Sequence, residues 1–87
     1  MAYRVVVEPK AEKDLHGLRR HPQFQRIRAA ALALADEPRP HGCRKLSIRD
    51  SWRIRVGDYR IIYEIADAVR IVTVLRVKKR DEAYDDD

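Results

Sequence analysis

The chain has 87 residues, 19 Lys and Arg against 14 Asp and Glu, a formal net charge of +5 and a pI near 9.7. A chain of this length buries only about 60% of its unfolded surface, and its basic balance favours a polyanionic partner, nucleic acid or an acidic protein, over a neutral small molecule. Cys43 is the only cysteine, which excludes an intramolecular disulfide and a cysteine-rich zinc site; the apolar run in MAYRVVVEPK is too short for a signal peptide and no stretch approaches a membrane span, so a cytoplasmic protein is expected.

In chain order, Tyr3, Val5 and Val7 alternate with other residues, predicting a strand over 2–8. Pro9 follows at a suitable first helical position, where its missing N–H costs nothing. Ala11, Leu15 and Leu18 then share one helical face. His21-Pro22 interrupts, and Phe24, Ile27, Ala31 and Leu34 resume the spacing through AAALALA, a run of high helix propensity. The reading is two helices, about 9–20 and 22–37, forming a hairpin that Pro38 and Pro40 end. Cys43–Ile48 reads as a short strand and Asp50-Ser51 as a turn.

WRIRVGDYRIIYEI, residues 52–65, carries the strongest pattern. Trp52, Ile54 and Val56 alternate with Arg53 and Arg55, Gly57-Asp58 suits a type II′ two-residue turn, and Tyr59, Ile61, Tyr63 and Ile65 resume the alternation. A two-residue loop sets Val56 opposite Tyr59, Ile54 opposite Ile61 and Trp52 opposite Tyr63, making one face wholly apolar. That face is expected to pack on Leu15, Leu18, Ile27, Ala31 and Leu34. On the other face Arg55 lies opposite Arg60, with Arg53 one pair further along. Like charges facing each other destabilise a sheet, so folding alone does not account for three arginines on one patch. The hairpin reads as an anion-binding platform.

A three-residue loop, Ala66–Ala68, would set Glu64 opposite Arg70, with the last strand over 69–77. VKKRDEAYDDD follows as a polar tail, its three final aspartates, Asp85–Asp87, expected to be unstructured. A strand, a helical hairpin and then three to four mainly antiparallel strands, with the helices on one face of the sheet, spell one α+β domain over 1–87. Arg76, Lys78, Lys79 and Arg80 would extend the cationic patch, and Lys45 beside an apolar strand is a further phosphate contact. Tyr84, four residues after Arg80, is a proton-acceptor candidate because neighbouring positive charge favours the phenolate. His16, His21 and His41 match no zinc or catalytic spacing and read as surface residues; Glu12, Asp14, Asp36 and Glu37 read as solvated helical positions. No cofactor is called for.

The opening MAYRVVVEPKAEKDL, the helical hairpin ending at EPRP, the KL…SWRIRVGDYRIIYEI hairpin and the closing VTVLRVKKRDEAY together resemble the RelE/ParE toxin superfamily of toxin–antitoxin modules. Within it, RelE-type toxins are ribosome-dependent mRNA endonucleases, whereas ParE-type toxins target DNA gyrase and lack the nuclease residues. The nuclease pattern has two basic residues alternating on a strand, an Arg just after the turn, and a later Arg and Tyr. Arg53 and Arg55, Arg60, and Arg80 with Tyr84 fit those positions. The first pair is often lysine in that family; arginine does not lose its proton to act as a base, so the proton-acceptor role falls to Tyr84 or Lys79. The resemblance implies a metal-independent mRNA interferase with Arg60, Arg80, Tyr84, Arg53 and Arg55 as catalytic residues. It also implies an RNA-binding set of Lys79, Lys78, Arg76 and Lys45, and the ribosome, mRNA and a cognate antitoxin as partners.

Overall fold

The computed structural model describes residues 2–47 and 49–80. The elements run β1 (Arg4–Val7), α1 (Pro9–Gly17), α2 (Phe24–Ala33), β2 (Arg44–Lys45), β3 (Trp52–Val56), β4 (Tyr59–Ala66) and β5 (Ile71–Lys79). The five strands make one mixed sheet in the order β1-β5-β4-β3-β2, with β1 parallel to β5 and every other pair antiparallel. The α+β expectation, with both helices on one face, holds.

The central hairpin has the register that its two-residue turn dictates. Val56 pairs with Tyr59, Ile54 with Ile61, Arg55 with Arg60 and Trp52 with Tyr63. Gly57 takes φ +59° and Asp58 does not follow it into the left-handed region, as a type II′ turn requires. The apolar face meets Ala11, Ile27, Ala31 and Leu34 from the helices, together with Val72, Val74 and Val77 of β5; Leu15, Leu18 and Trp52 pack at its margin. Tyr63 is fully buried, and its hydroxyl donates to Pro38 O at 2.7 Å, tying β4 to the segment that ends the helical hairpin. Burial, then Cys43 nearby, raises the Tyr63 phenol well above its usual range.

Both helices are shorter than their apolar periodicity predicts. Leu18 and Arg19 donate to Leu15 and His16, and Leu34 and Ala35 to Ala31 and Leu32; these three-residue bonds tighten each last turn out of the α geometry. The predicted strand over Cys43–Ile48 reduces, among the described residues, to Arg44–Lys45. Leu46 N–H already reaches Ser51 O at 2.7 Å, and Arg49 and Asp50 turn the chain with φ of 56° and 57°.

The last hairpin corrects the expected register. Ala66 pairs with Ile71 and Glu64 with Thr73, not with Arg70. Arg70 sits inside a four-residue turn at φ +56°, and Glu64 instead meets Arg49 at 3.3 Å. The strand runs to Lys79 rather than ending at 77. A β-bulge lies opposite Ile62 and Tyr63: Ile62 pairs with Arg76 and Tyr63 with Val74, leaving Leu75 extra. The extra residue puts Leu75 on the same face as its neighbour Arg76, the face of Ile62, and there Leu75 joins Ile62 and Leu46 in a second small apolar cluster.

Asp14, expected on a solvated helical face, is a half-buried clamp between α1 and β5. Its carboxylate accepts from Arg76 Nε at 2.9 Å and Nη2 at 3.3 Å, and from Val77 N–H at 2.9 Å. β1 covers β5 only over Ile71–Val74, so Asp14 takes a donor that the parallel strand leaves unpaired. Burial pushes its pKa up, but the Arg76 and Val77 hydrogen bonds and the charges of Arg76 and Lys78 outweigh that and hold it below the usual carboxylate value. Because the folded pKa is depressed, this contribution is complete above the unfolded value near ~3.9 and is lost as pH falls through the lower folded one. Asp14→Asn is expected to cost about 1–3 kcal/mol at neutral pH. The difference from the parent should shrink below pH ~4, as urea titrations across pH would read.

Candidate functional site

The hairpin turn brings the cationic residues together. Arg55 of β3, Arg60 of β4 and Lys78 of β5 are consecutive cross-strand partners, so three cations line up across three strands on the face away from the helices. Paired residues share a face, and Arg53 and Arg76 lie on this one too, each opposite Ile62. β5 then ends against the turn: Arg80 N–H donates to Asp58 O at 2.9 Å. Asp58, Arg60, Lys79 and Arg80 line an open depression of about 460 Å³. Three cations and one carboxylate leave this pocket with net positive charge. Two guanidinium forks suit bidentate capture of a phosphate better than ammonium groups do.

Other predicted residues are placed differently. Arg53 is only 6% exposed and its Nη1 reaches Gly42 O at 3.4 Å; it lies further along the same face, away from the turn. Arg76 is engaged by Asp14, at the edge of β5. Lys45 pairs with Trp52 and therefore lies on the helix-side face, where its Nζ is 5.9 Å from the centre of the indole ring and 2.5 Å from an Asp50 carboxylate oxygen. Tyr84 and Asp85–Asp87 lie outside the described residues.

A second polar cluster sits at the far end of the hairpin. Arg39 grips Asp67 with both terminal nitrogens at 3.2 and 2.9 Å, Tyr3 hydroxyl donates to Asp67 at 2.6 Å, and the Arg39 guanidinium lies 5.1 Å from the Trp52 ring centre. The Arg39 and then Tyr3 hydrogen bonds depress the Asp67 pKa to about 2. This is a staple joining β1, the loop after α2 and the β4–β5 turn. Sequence reasoning named neither this staple nor Gln23, and it read Asp58 as a turn residue without placing it at the pocket. The Gly-Asp turn signal located Asp58; nothing in the local pattern marks Gln23.

The model of the ParE toxin of type II toxin–antitoxin systems matches residues 5–84. The chain belongs to this family, within the RelE/ParE superfamily. Its fold is similar to a chain of the archaeal RelE–RelB complex from Pyrococcus horikoshii OT3, at 30% identity and TM-score 0.80, covering 95% of this chain and 100% of that one. It is also similar to a chain of the RelBE2 toxin–antitoxin complex from Mycobacterium tuberculosis, at 32% identity and TM-score 0.68, covering 92% and 100%. The isolated RelE toxin of E. coli shares the fold at 20% identity and TM-score 0.78, covering 94% of this chain and 88% of that one. No curated protein sequence matches significantly.

Proposed function

We propose that this toxin is a ribosome-dependent endoribonuclease that cleaves mRNA in the cytoplasm, with the whole chain acting as one catalytic domain. The observation that carries the reading is the Arg55–Arg60–Lys78 row ending in the Arg60–Lys79–Arg80 pocket. RNA supplies its own nucleophile, so a metal is not required to make one. The 2′-oxygen attacks the adjacent phosphorus, the bond to the 5′-oxygen breaks, and a 2′,3′-cyclic phosphate and a 5′-hydroxyl fragment result. The 2′-hydroxyl loses its proton to a base and the leaving 5′-oxygen gains one. Arg60 and Arg80 neutralise charge building on the phosphoryl oxygens, each such donor contributing about 10²–10³-fold. Arg55 holds the RNA backbone, and Lys78 and Lys79 supply further phosphate contacts. Arg53, almost fully buried, and Arg76, held by Asp14, support the sheet around that face, and Lys45 lies on the opposite one. The ribosome fixes the mRNA in place, an effect worth ~7–11 kcal/mol. A cognate antitoxin with an acidic segment would silence the basic face through complementary charge.

The base is Tyr84 or Lys79, and Tyr84→Phe separates them. It keeps the ring and removes only the hydroxyl, and should slow single-turnover cleavage on programmed ribosomes by at least ~10² with ribosome affinity unchanged. Normal cleavage by Tyr84→Phe with slow cleavage by Tyr84→Ala would make the ring a stacking platform. Normal cleavage by both transfers the role to Lys79 or to a ribosomal group.

The match to the ParE toxin model favours a second reading, a non-catalytic inhibitor of DNA gyrase. Incubating the purified toxin in parallel with programmed ribosomes and with gyrase and relaxed plasmid decides between them. Cyclic-phosphate-ended mRNA fragments with supercoiling intact support the nuclease; blocked supercoiling with intact mRNA replaces it.

A further inference from the structure

The loop between the helices reaches across to the turn that carries the cationic pocket. Gln23 occupies the N-cap position of α2, yet its side chain caps none of that helix's N–H groups. Its Oε1 instead accepts from Asp58 N–H at 3.2 Å, a central turn donor that a two-residue hairpin loop leaves outside the ladder. The carbonyl of the same Asp58 accepts from Arg80 N–H at 2.9 Å. Residue 58 is thus held at both ends, by Gln23 on one side and by the backbone of a pocket arginine on the other.

Two further contacts fix this bracket. The Gln23 amide lies against Gly57, where an added Cβ would come within 2.5 Å of Nε2 and 2.6 Å of Oε1; a side chain there would push the amide aside, while the φ of +59° by itself favours glycine. Gln23 N–H donates to His21 Nδ1 at 3.0 Å, and the half-buried His21 ring meets Tyr59 edge-on, 5.3 Å between centres at 81°. The loop therefore touches Gly57, Asp58 and Tyr59 in succession, immediately before Arg60. Gln23 is not among the residues lining the pocket.

We infer that Gln23 is a positioning residue: its side-chain amide sets the Gly57–Asp58 turn and, through the Asp58 peptide, the placement of Arg80 beside Arg60. The catalytic part of this inference rests on the nuclease reading; the mechanical part does not. The experiment compares the parent with Gln23→Leu, which keeps bulk and removes the acceptor, and Gln23→Glu, which keeps an acceptor oxygen at the same reach. Amide hydrogen exchange at Asp58 and Arg80 and single-turnover cleavage on programmed ribosomes are measured on each. Gln23→Leu should speed exchange at both amides about tenfold, the loss of roughly one net hydrogen bond. It should slow cleavage by ~10–100-fold, the effect of misplacing a reacting group by an ångström or less, at unchanged ribosome affinity. Gln23→Glu should restore both. Unchanged exchange in Gln23→Leu, faster exchange with an unchanged rate, or no rescue by Gln23→Glu would overturn the inference. If the parent cleaves nothing, the nuclease reading fails, and the exchange data alone decide whether Gln23 holds Arg80.

Discussion

Arg60→Ala is expected to abolish growth inhibition and to slow cleavage of ribosome-bound mRNA by about 10²–10³-fold, in a protein that still folds. Arg60 stands between Arg55 and Lys78 on neighbouring strands and on the face away from the helices, so its removal leaves the main core untouched. It also relieves two like-charge neighbours, each unfavourable on a sheet. The thermal midpoint should therefore hold or rise while activity falls, a combination that a packing residue does not give. Full toxicity from a folded Arg60→Ala protein would remove the nuclease proposal. Because the second reading also concerns a toxin, supercoiling by gyrase should be measured on the same variant.

Ile61→Ala, one residue further on, should do the opposite. Ile61 is fully buried, pairs with Ile54 and Val77, and belongs to the cluster formed with Ile27, Ala31 and Leu34. Truncation should cost ~2–5 kcal/mol, a large share of the ~5–15 kcal/mol that holds a small domain together. Urea unfolding should show a lower midpoint at an unchanged slope. Ile62→Ala offers the control: Ile62 is almost as enclosed but sits on the opposite face, in a cluster with Leu46 and Leu75 among the described residues, so its loss should fall at the low end of that range. A small effect at Ile61 with a large one at Ile62 would mean that the helices cover the other face.

The adjacency of Arg60 and Ile61 shows what was readable in the sequence. Strict alternation on both sides of Gly57-Asp58 fixes which residues point inward, and the observed register follows pair by pair. The next hairpin was misjudged because its alternation is broken. Leu75 and Arg76 are neighbours that share one face across a bulge, and the turn places Arg70 at a positive φ usually left to glycine or asparagine. Pairing charge with charge, Glu64 with Arg70, was the wrong guide there. The pocket end was legible only in part. Arg60, Lys79 and Arg80 stand out as charges near a turn, whereas the ion pair of Arg76 with Asp14 joins residues far apart in the chain. Gln23 reaches Asp58 through tertiary packing that no local pattern encodes.

The sheet order puts β5, the last strand among the described residues, between β1 and β4. Arg4 finds its partner only when Ile71 arrives, so during synthesis the first strand waits for almost the whole described chain. Contacts between such distant segments make folding slow, because the entropy of closing the loop is lost before pairing returns anything. The same late strand supplies Lys78 and Lys79, and Arg80 follows it directly. For a protein whose proposed target is the translating ribosome, this ordering has a protective side. The growing chain has neither a closed sheet nor a complete cationic pocket until β5 and Arg80 are made, so a nascent chain still short of them lacks the site proposed to act on the ribosome.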